Sequence, residues 1–162
     1  MSSSGKSKTA APKLKNASVV VVRTEWNADI VDELFAGCKK ILEKNKIIFR
    51  DLQVPGAFEI PFTIKKYWEA AGKQKPEAFI ALGCVIQGDT PHFEYVCRAI
   101  ADGVAALNLQ LPVPIIFGVL TVNNPEQAKE RIGGKHGHKG EEAADTALKM
   151  ISFTRSWCRW SE

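Results

Sequence analysis

Cysteine is scarce in this 162-residue chain, with Cys38, Cys84, Cys97 and Cys158 far apart and no C-x-x-C pair among them. That spacing excludes a disulfide scaffold and a structural zinc site, and it fits free thiols in a reducing compartment. Histidine is limited to His92, His136 and His138, the last two in a Gly-rich stretch without acidic ligands at metal spacing. No metal is expected. Long apolar runs are missing as well. None approaches the roughly 20 residues that a membrane-spanning helix needs, so no membrane partner is expected. A surplus of one charge is missing from the body of the chain. Lys and Arg total 22 against 18 Asp and Glu, but Lys6, Lys8, Lys13 and Lys15 precede the first acid, leaving residues 17–162 balanced. A nucleic-acid binder more often carries its positive excess on the folded surface, so no nucleic-acid partner is expected. Residues 1–16 read as a disordered basic tail and residues 17–162 as one domain. The tail lacks the apolar core of a secretory signal and the Arg-rich amphipathic period of a transit peptide, which points to a cytoplasmic chain.

Four apolar runs alternate with helical patterns. Ser18 to Arg23 (SVVVVR) is a β-branched run without polar alternation, as in a strand buried on both faces. Asn27 to Glu43 carries Ile30, Val31, Leu34, Phe35, Cys38, Ile41 and Leu42 on one helical face. Ile47 to Val54 reads as a second strand, 59–71 as a helix, and Ala78 to Val85 (AFIALGCV) as a third strand. A long helix follows over 90–109, with Thr90 expected as N-cap and Pro91 at its first position. Pro114 to Val119 (PIIFGV) is the fourth strand. Asn124-Pro125 then caps a short helix expected to stop at Gly133-Gly134, and a last helix covers about 141–157. This order calls for an α/β fold: a three-layer α/β/α sandwich of flavodoxin-like type, with a four-stranded parallel sheet flanked by helices.

Such sheets bind ligands beyond the carboxyl ends of their strands. After the first strand stands Glu25-Trp26-Asn27, where the tryptophan reads as a core plug or as a stacking platform for a flat heteroaromatic. After the second stands VPGAFE, whose Pro55-Gly56 turn exposes backbone amides and whose Glu59 opens a helix, where a carboxylate suits the dipole and can accept from a polyol. After the third stands GCVIQGDTPHFEY, which leads Gly88-Asp89-Thr90 into a helix N-terminus suited to an anion, with His92 in the first turn. The fourth leads to NPEQAKERIGGKHGHKG, with Arg131 in the last turn of the short helix and Lys135 and Lys139 in the loop. These cations suit either solvent or a phosphate, which Arg can grip with two parallel bonds.

In this order, WN, VPGAFEIP, LGCVIQGDTPHFEY, PIIFGVLT and NPEQAKERIGGKHGHKG resemble 6,7-dimethyl-8-ribityllumazine synthases over about residues 17–155. The resemblance implies an enzyme of riboflavin biosynthesis that uses neither metal nor organic cofactor. It would condense two small-molecule substrates, 5-amino-6-(D-ribitylamino)uracil and 3,4-dihydroxy-2-butanone 4-phosphate, releasing phosphate and water. Trp26 and Asn27 would then meet the pyrimidine, and Ala57, Phe58 and Glu59 the ribityl chain. Cys84, Val85 and Ile86 would offer backbone to the pyrimidine, and His92 would move protons. Asp89, Thr90 and Arg131 would hold the phosphate. Phe117, Lys135 and Lys139 would come from a neighbouring subunit, because sites in this family lie between subunits of a homopentamer.

Two residues depart from the usual pattern: Gln87 replaces a common Arg or Lys, and Asp89 a common Ala or Ser beside the phosphate. The short GGKHGHKG loop permits twelve pentamers to close into a 60-subunit icosahedral shell. The alternative is a non-catalytic flavin-binding or cage-forming relative, against which the joint presence of Glu59, His92 and Arg131 argues.

Overall fold

Side chains of a strand alternate between the two faces of its sheet, so an uninterrupted valine run feeds two cores at once. In the computed structural model, which describes residues 12–158, the first strand, β1 (Ser18–Thr24), does this. Val19 and Val21 enter one apolar cluster and Val20 and Val22 the other. The remaining strands of the main sheet are β2 (Ile48–Val54), β3 (Ala78–Ile86) and β4 (Ile115–Val122). They pair in parallel in the order β2-β1-β3-β4. Ile80, Leu82 and Cys84 of β3 face one cluster, while Phe79 and Ala81 face the other.

Helices α1 (Ala28–Lys44) and α5 (Lys139–Cys158) cover the first cluster with Leu34, Cys38, Leu42, Leu148 and Ile151. Helices α2 (Ile60–Ala70) and α3 (His92–Gln110) cover the second with Ile60, Ile64, Ile100, Val104 and Leu107. This is the expected three-layer α/β/α arrangement with a four-stranded parallel sheet. Burial of each such side chain contributes about 1.5–3 kcal/mol against leaving it in water. Glycines set the closest approach of α1 and α5. A Cβ on Gly140 would collide with the carbonyl of Leu34, and one on Gly37 with the ring of His138.

Local chemistry shifts three boundaries. Helix α3 starts at His92 with Pro91 at its N-cap, so Thr90 is not the capping residue, and no side chain caps that end. Residues Ala57–Glu59 form a turn of 3-10 helix before α2, tightened by a Glu59 N–H bond to the Gly56 carbonyl. Helix α4 (Pro125–Lys129) is capped as expected by the Asn124 side chain, which accepts from Gln127 N–H at 2.9 Å. It ends four residues before the glycine pair, so Arg131 lies beyond its last turn rather than in it. The Gly-rich stretch is a small hairpin instead of a loop, with β5 (Ile132–Gly134) antiparallel to β6 (Gly137–His138). Gly133 and Gly137 hold φ values of 112° and 77°, which residues with a Cβ rarely adopt.

Residues 1–11 of the expected tail and 159–162 lie outside the described residues. Before β1, Leu14 packs against the α1–α5 cluster, and the carbonyl of Lys15 accepts from Arg155 at 3.0 Å. Among the described residues, no helix is long and apolar enough to cross a membrane.

Candidate active site

Beyond its last valine, β1 turns sharply and is pinned on every side. Glu25 N–H donates to the Val54 carbonyl at 2.8 Å, and Trp26 N–H to the Pro55 carbonyl at 3.2 Å. The hydroxyl of Thr24, buried at the end of β1, donates to the Trp26 carbonyl at 3.3 Å. Asn27 takes the left-handed conformation (φ 56°, ψ 45°), and its side-chain amide donates to the Cys84 carbonyl at 2.8 Å. The turn so fixed leaves the Trp26 side chain 69% exposed at the carboxyl end of the sheet.

The second strand delivers the wall beneath that ring. A Cβ on Gly56 would come to 3.6 Å from Trp26 Cε3, so the ring edge lies over the Pro55-Gly56 turn. Gly56 N–H donates to Glu59 Oε2 at 3.0 Å, which holds the carboxylate at the start of α2 with its other oxygen still able to accept. The third strand contributes Cys84, Val85 and Ile86, and α3 contributes His92, Phe93 and Val96, spaced as one helical face.

Together these elements enclose a crevice of about 430 Å³, within the range typical of small-molecule sites. Trp26, Asn27, Ala57, Phe58, Glu59, Cys84, Val85, Ile86, Thr90 and His92 line it, as the strand-end reading expects. Asp89 is exposed and stays off the lining, between Gly88 and Thr90, which belong to it. Burial, with the negative charge of Asp29 adding to it, pushes the Cys84 thiol up to about 11. At neutral pH this thiol is protonated and a poor nucleophile.

Phe117, Arg131 and Lys139 gather elsewhere. They line a groove of about 590 Å³ along the outer edge of β4, together with Glu142 and Thr146. The hairpin brings the backbones of the two residues together, since Lys139 N–H, at the first residue of α5 rather than in a loop, donates to the Arg131 carbonyl at 2.8 Å. Arg131 Nη1 donates to the Gln127 carbonyl at 2.7 Å and lies 3.9 Å from Glu130. Lys139 Nζ pairs with Glu142 at 2.6 Å. Lys135, at the hairpin tip, is exposed and lines neither cavity. His136, expected to lack acidic neighbours, has Nε2 at 3.5 Å from Glu130.

The crevice and the groove share no lining residue, and the crevice lining contains no lysine or arginine. Sequence reasoning missed Phe93 and Val96 of the crevice and Glu142 and Thr146 of the groove. The spacing of Phe93 and Val96 from His92 could have found those two. The groove residues gave no signal, because a strand edge is not visible in sequence.

The profile of the 6,7-dimethyl-8-ribityllumazine synthase family matches residues 16–155. A curated 6,7-dimethyl-8-ribityllumazine synthase from Parabacteroides distasonis is 40% identical over 148 residues, covering 90% of this chain and 91% of the relative. One from Cytophaga hutchinsonii is 44% identical over 146 residues, covering 88% and 90%. One from Bacteroides fragilis is 45% identical over 139 residues, covering 84% and 95%.

Proposed function

The chain belongs to the 6,7-dimethyl-8-ribityllumazine synthase family, and from that membership we propose that its active site is built from two copies, the crevice of one facing the β4 groove of the next. The enzyme acts in riboflavin biosynthesis, condensing 5-amino-6-(D-ribitylamino)uracil with 3,4-dihydroxy-2-butanone 4-phosphate and releasing phosphate and water.

One observation carries the two-copy reading. The crevice has an aromatic face in Trp26, a carboxylate in Glu59 and an imidazole in His92, but no cation for a phosphate. The groove has Arg131 and Lys139 and an aromatic in Phe117, but no histidine. A heterocycle with a polyol arm suits the first, and a phosphate dianion suits the second. Trp26 stacks the pyrimidine, with Asn27 beside it. Ala57, Phe58 and Glu59 receive the ribityl chain, and the end of β3 at Cys84, Val85 and Ile86 meets the pyrimidine edge. Thr90 and the amides before α3 meet the phosphate of the second substrate from one side, and Arg131 of the neighbouring copy from the other. Asp89 points its charge to solvent and leaves those amides to the anion. Lys139 and Phe117 close the site, and Lys135 lies at its rim.

Schiff-base formation between an amine and a ketone, loss of phosphate and ring closure each move protons, and none requires a protein nucleophile. Holding both substrates in one crevice supplies much of the acceleration. His92, at the start of α3, carries protons between the reacting nitrogen and oxygen atoms, worth about 10²–10⁴-fold. The uncovered apolar side chains Phe58, Phe62, Tyr95, Leu109 and Phe117 support assembly into a homopentamer. The short Ile132–His138 hairpin supports closure of twelve pentamers into a 60-subunit shell. The same reading makes the enzyme cytoplasmic.

The test follows the growth of lumazine absorbance with both substrates. His92→Ala is expected to turn over at least about a hundredfold more slowly while binding the pyrimidine within roughly twofold of wild type. Unchanged single-turnover kinetics would remove His92 from this role.

A further inference from the structure

Strand β1 runs out before β3 does. Their pairing ends at Arg23 opposite Leu82, whereas β3 continues to Ile86 paired with β4. The N–H and C=O of one strand residue point to the same side, and successive residues alternate. Phe79 N–H reaches the Pro114 carbonyl and Gln87 N–H the Val122 carbonyl, so odd-numbered residues of β3 face β4. Even-numbered residues face the β1 side, where Cys84 and then Ile86 follow the last paired residue, Leu82. Both line the crevice. The Cys84 carbonyl is taken by Asn27 Nδ2 at 2.8 Å. Ile86 is the next residue on that side, and its N–H and C=O point into the crevice.

A uracil edge carries a carbonyl next to an N–H, the same pattern that a strand residue presents to its neighbour. It can therefore pair with a single residue of β3 as the missing rung of β1 would. Two residues, Cys84 and Ile86, face that way. We propose that Asn27 is a positioning residue for the condensation: its amide occupies Cys84, so that the pyrimidine pairs with Ile86, and the same bond fixes the Trp26 turn at the right separation from β3. This rests on the reading of the crevice as the pyrimidine site. The residue type fits both demands. Asn tolerates the left-handed backbone that the turn requires, and it carries the amide donor.

Asn27→Asp and Asn27→Gly separate the two demands. Both tolerate φ 56°, and neither can donate to Cys84. In steady-state kinetics with both substrates, each variant should raise the KM for the pyrimidine about tenfold, the usual size of one lost hydrogen bond in a preorganised site. The KM for the butanone phosphate should stay within about twofold and kcat within about threefold, with melting temperatures close to wild type. A purely structural role would move both KM values, kcat and the melting temperature together, and that result overturns the proposal. So does a pyrimidine KM unchanged in both variants while wild type turns over. A wild-type protein without turnover would instead overturn the proposed function, and with it the role of Asn27.

Discussion

If each active site joins the crevice of one copy to the groove of the next, damage on opposite halves must complement. His92→Ala damages the crevice and Arg131→Ala the groove. The first loss is about 10²–10⁴-fold in turnover. For the second, Arg131 already donates one N–H to Gln127 at 2.7 Å, leaving the rest of its fork for phosphate. Charged hydrogen bonds contribute about 1.5–3 kcal/mol each, so removing them costs roughly 10–100-fold in affinity for the phosphate substrate. Co-expressing the two variants with different tags and purifying through both tags yields mixed assemblies. With random assembly at equal amounts, about one site in four takes a sound crevice from the Arg131→Ala chain and a sound groove from the His92→Ala chain. Activity at subsaturating butanone phosphate should therefore recover to about a quarter of wild type, far above either parent. A second mixture sharpens the reading: wild type co-assembled with the double variant should retain about a quarter of its activity, where sites confined to one chain would retain about half. Mixed assemblies no more active than the average of the two parents would refute the division of the site.

Two further outcomes follow from packing and from burial. Gly140→Ala should destabilise the fold by about 1–3 kcal/mol, read by denaturant unfolding, because its Cβ meets the backbone of Leu34 rather than a side chain that could turn aside. Wild-type stability there would mean that α1 and α5 can separate at little cost. The Cys84 and Cys38 thiols, pushed by burial up to about 11 and about 12, should resist alkylation near pH 8, read by peptide mass spectrometry. Because both folded values lie above the ordinary thiol value, the stability they contribute is complete below it and is lost as pH rises toward 11.

The layers of the fold were legible because the signals were strong and local. SVVVVR and AFIALGCV carry no polar alternation, and strands of that kind lie inside a sheet covered on both sides. The crevice was legible for a related reason: ligands gather at the carboxyl ends of parallel strands, so the turns after β1, β2 and β3 could be inspected in advance. Finer features rest on bonds that composition does not announce. Thr90 is a good capping residue by type, yet the chain enters α3 through Pro91, whose fixed φ already suits a helix. The hairpin of β5 and β6 has no apolar alternation to betray it and is held by backbone bonds, among them Lys139 to Arg131 and His136 to Glu130. Asn27 could be named for the site, but its bond to Cys84 depends on β1 ending early, which no sequence pattern records.

The two edge strands of the sheet differ in composition. An edge strand exposes unpaired backbone groups, and soluble proteins usually protect it with charge or shortness. Strand β2 (IFRDLQV) obeys this, with Arg50 and Asp51 on a mostly exposed run. Strand β4 (IIFGVLTV) does not: it reads like the interior strands β1 and β3, has no charged residue, and yet lies at the other edge with Phe117 44% exposed. A strand with interior composition at an edge suits the proposed contact with a second copy. The groove beside it holds Arg131 and Lys139, the cations that the crevice lacks. One surface thus carries both the apolar area that would drive association and the charges that a phosphate needs. In the proposed two-copy site, covering that edge with a second copy would complete the burial and the site in a single step, so the two mixtures above test assembly and catalysis together.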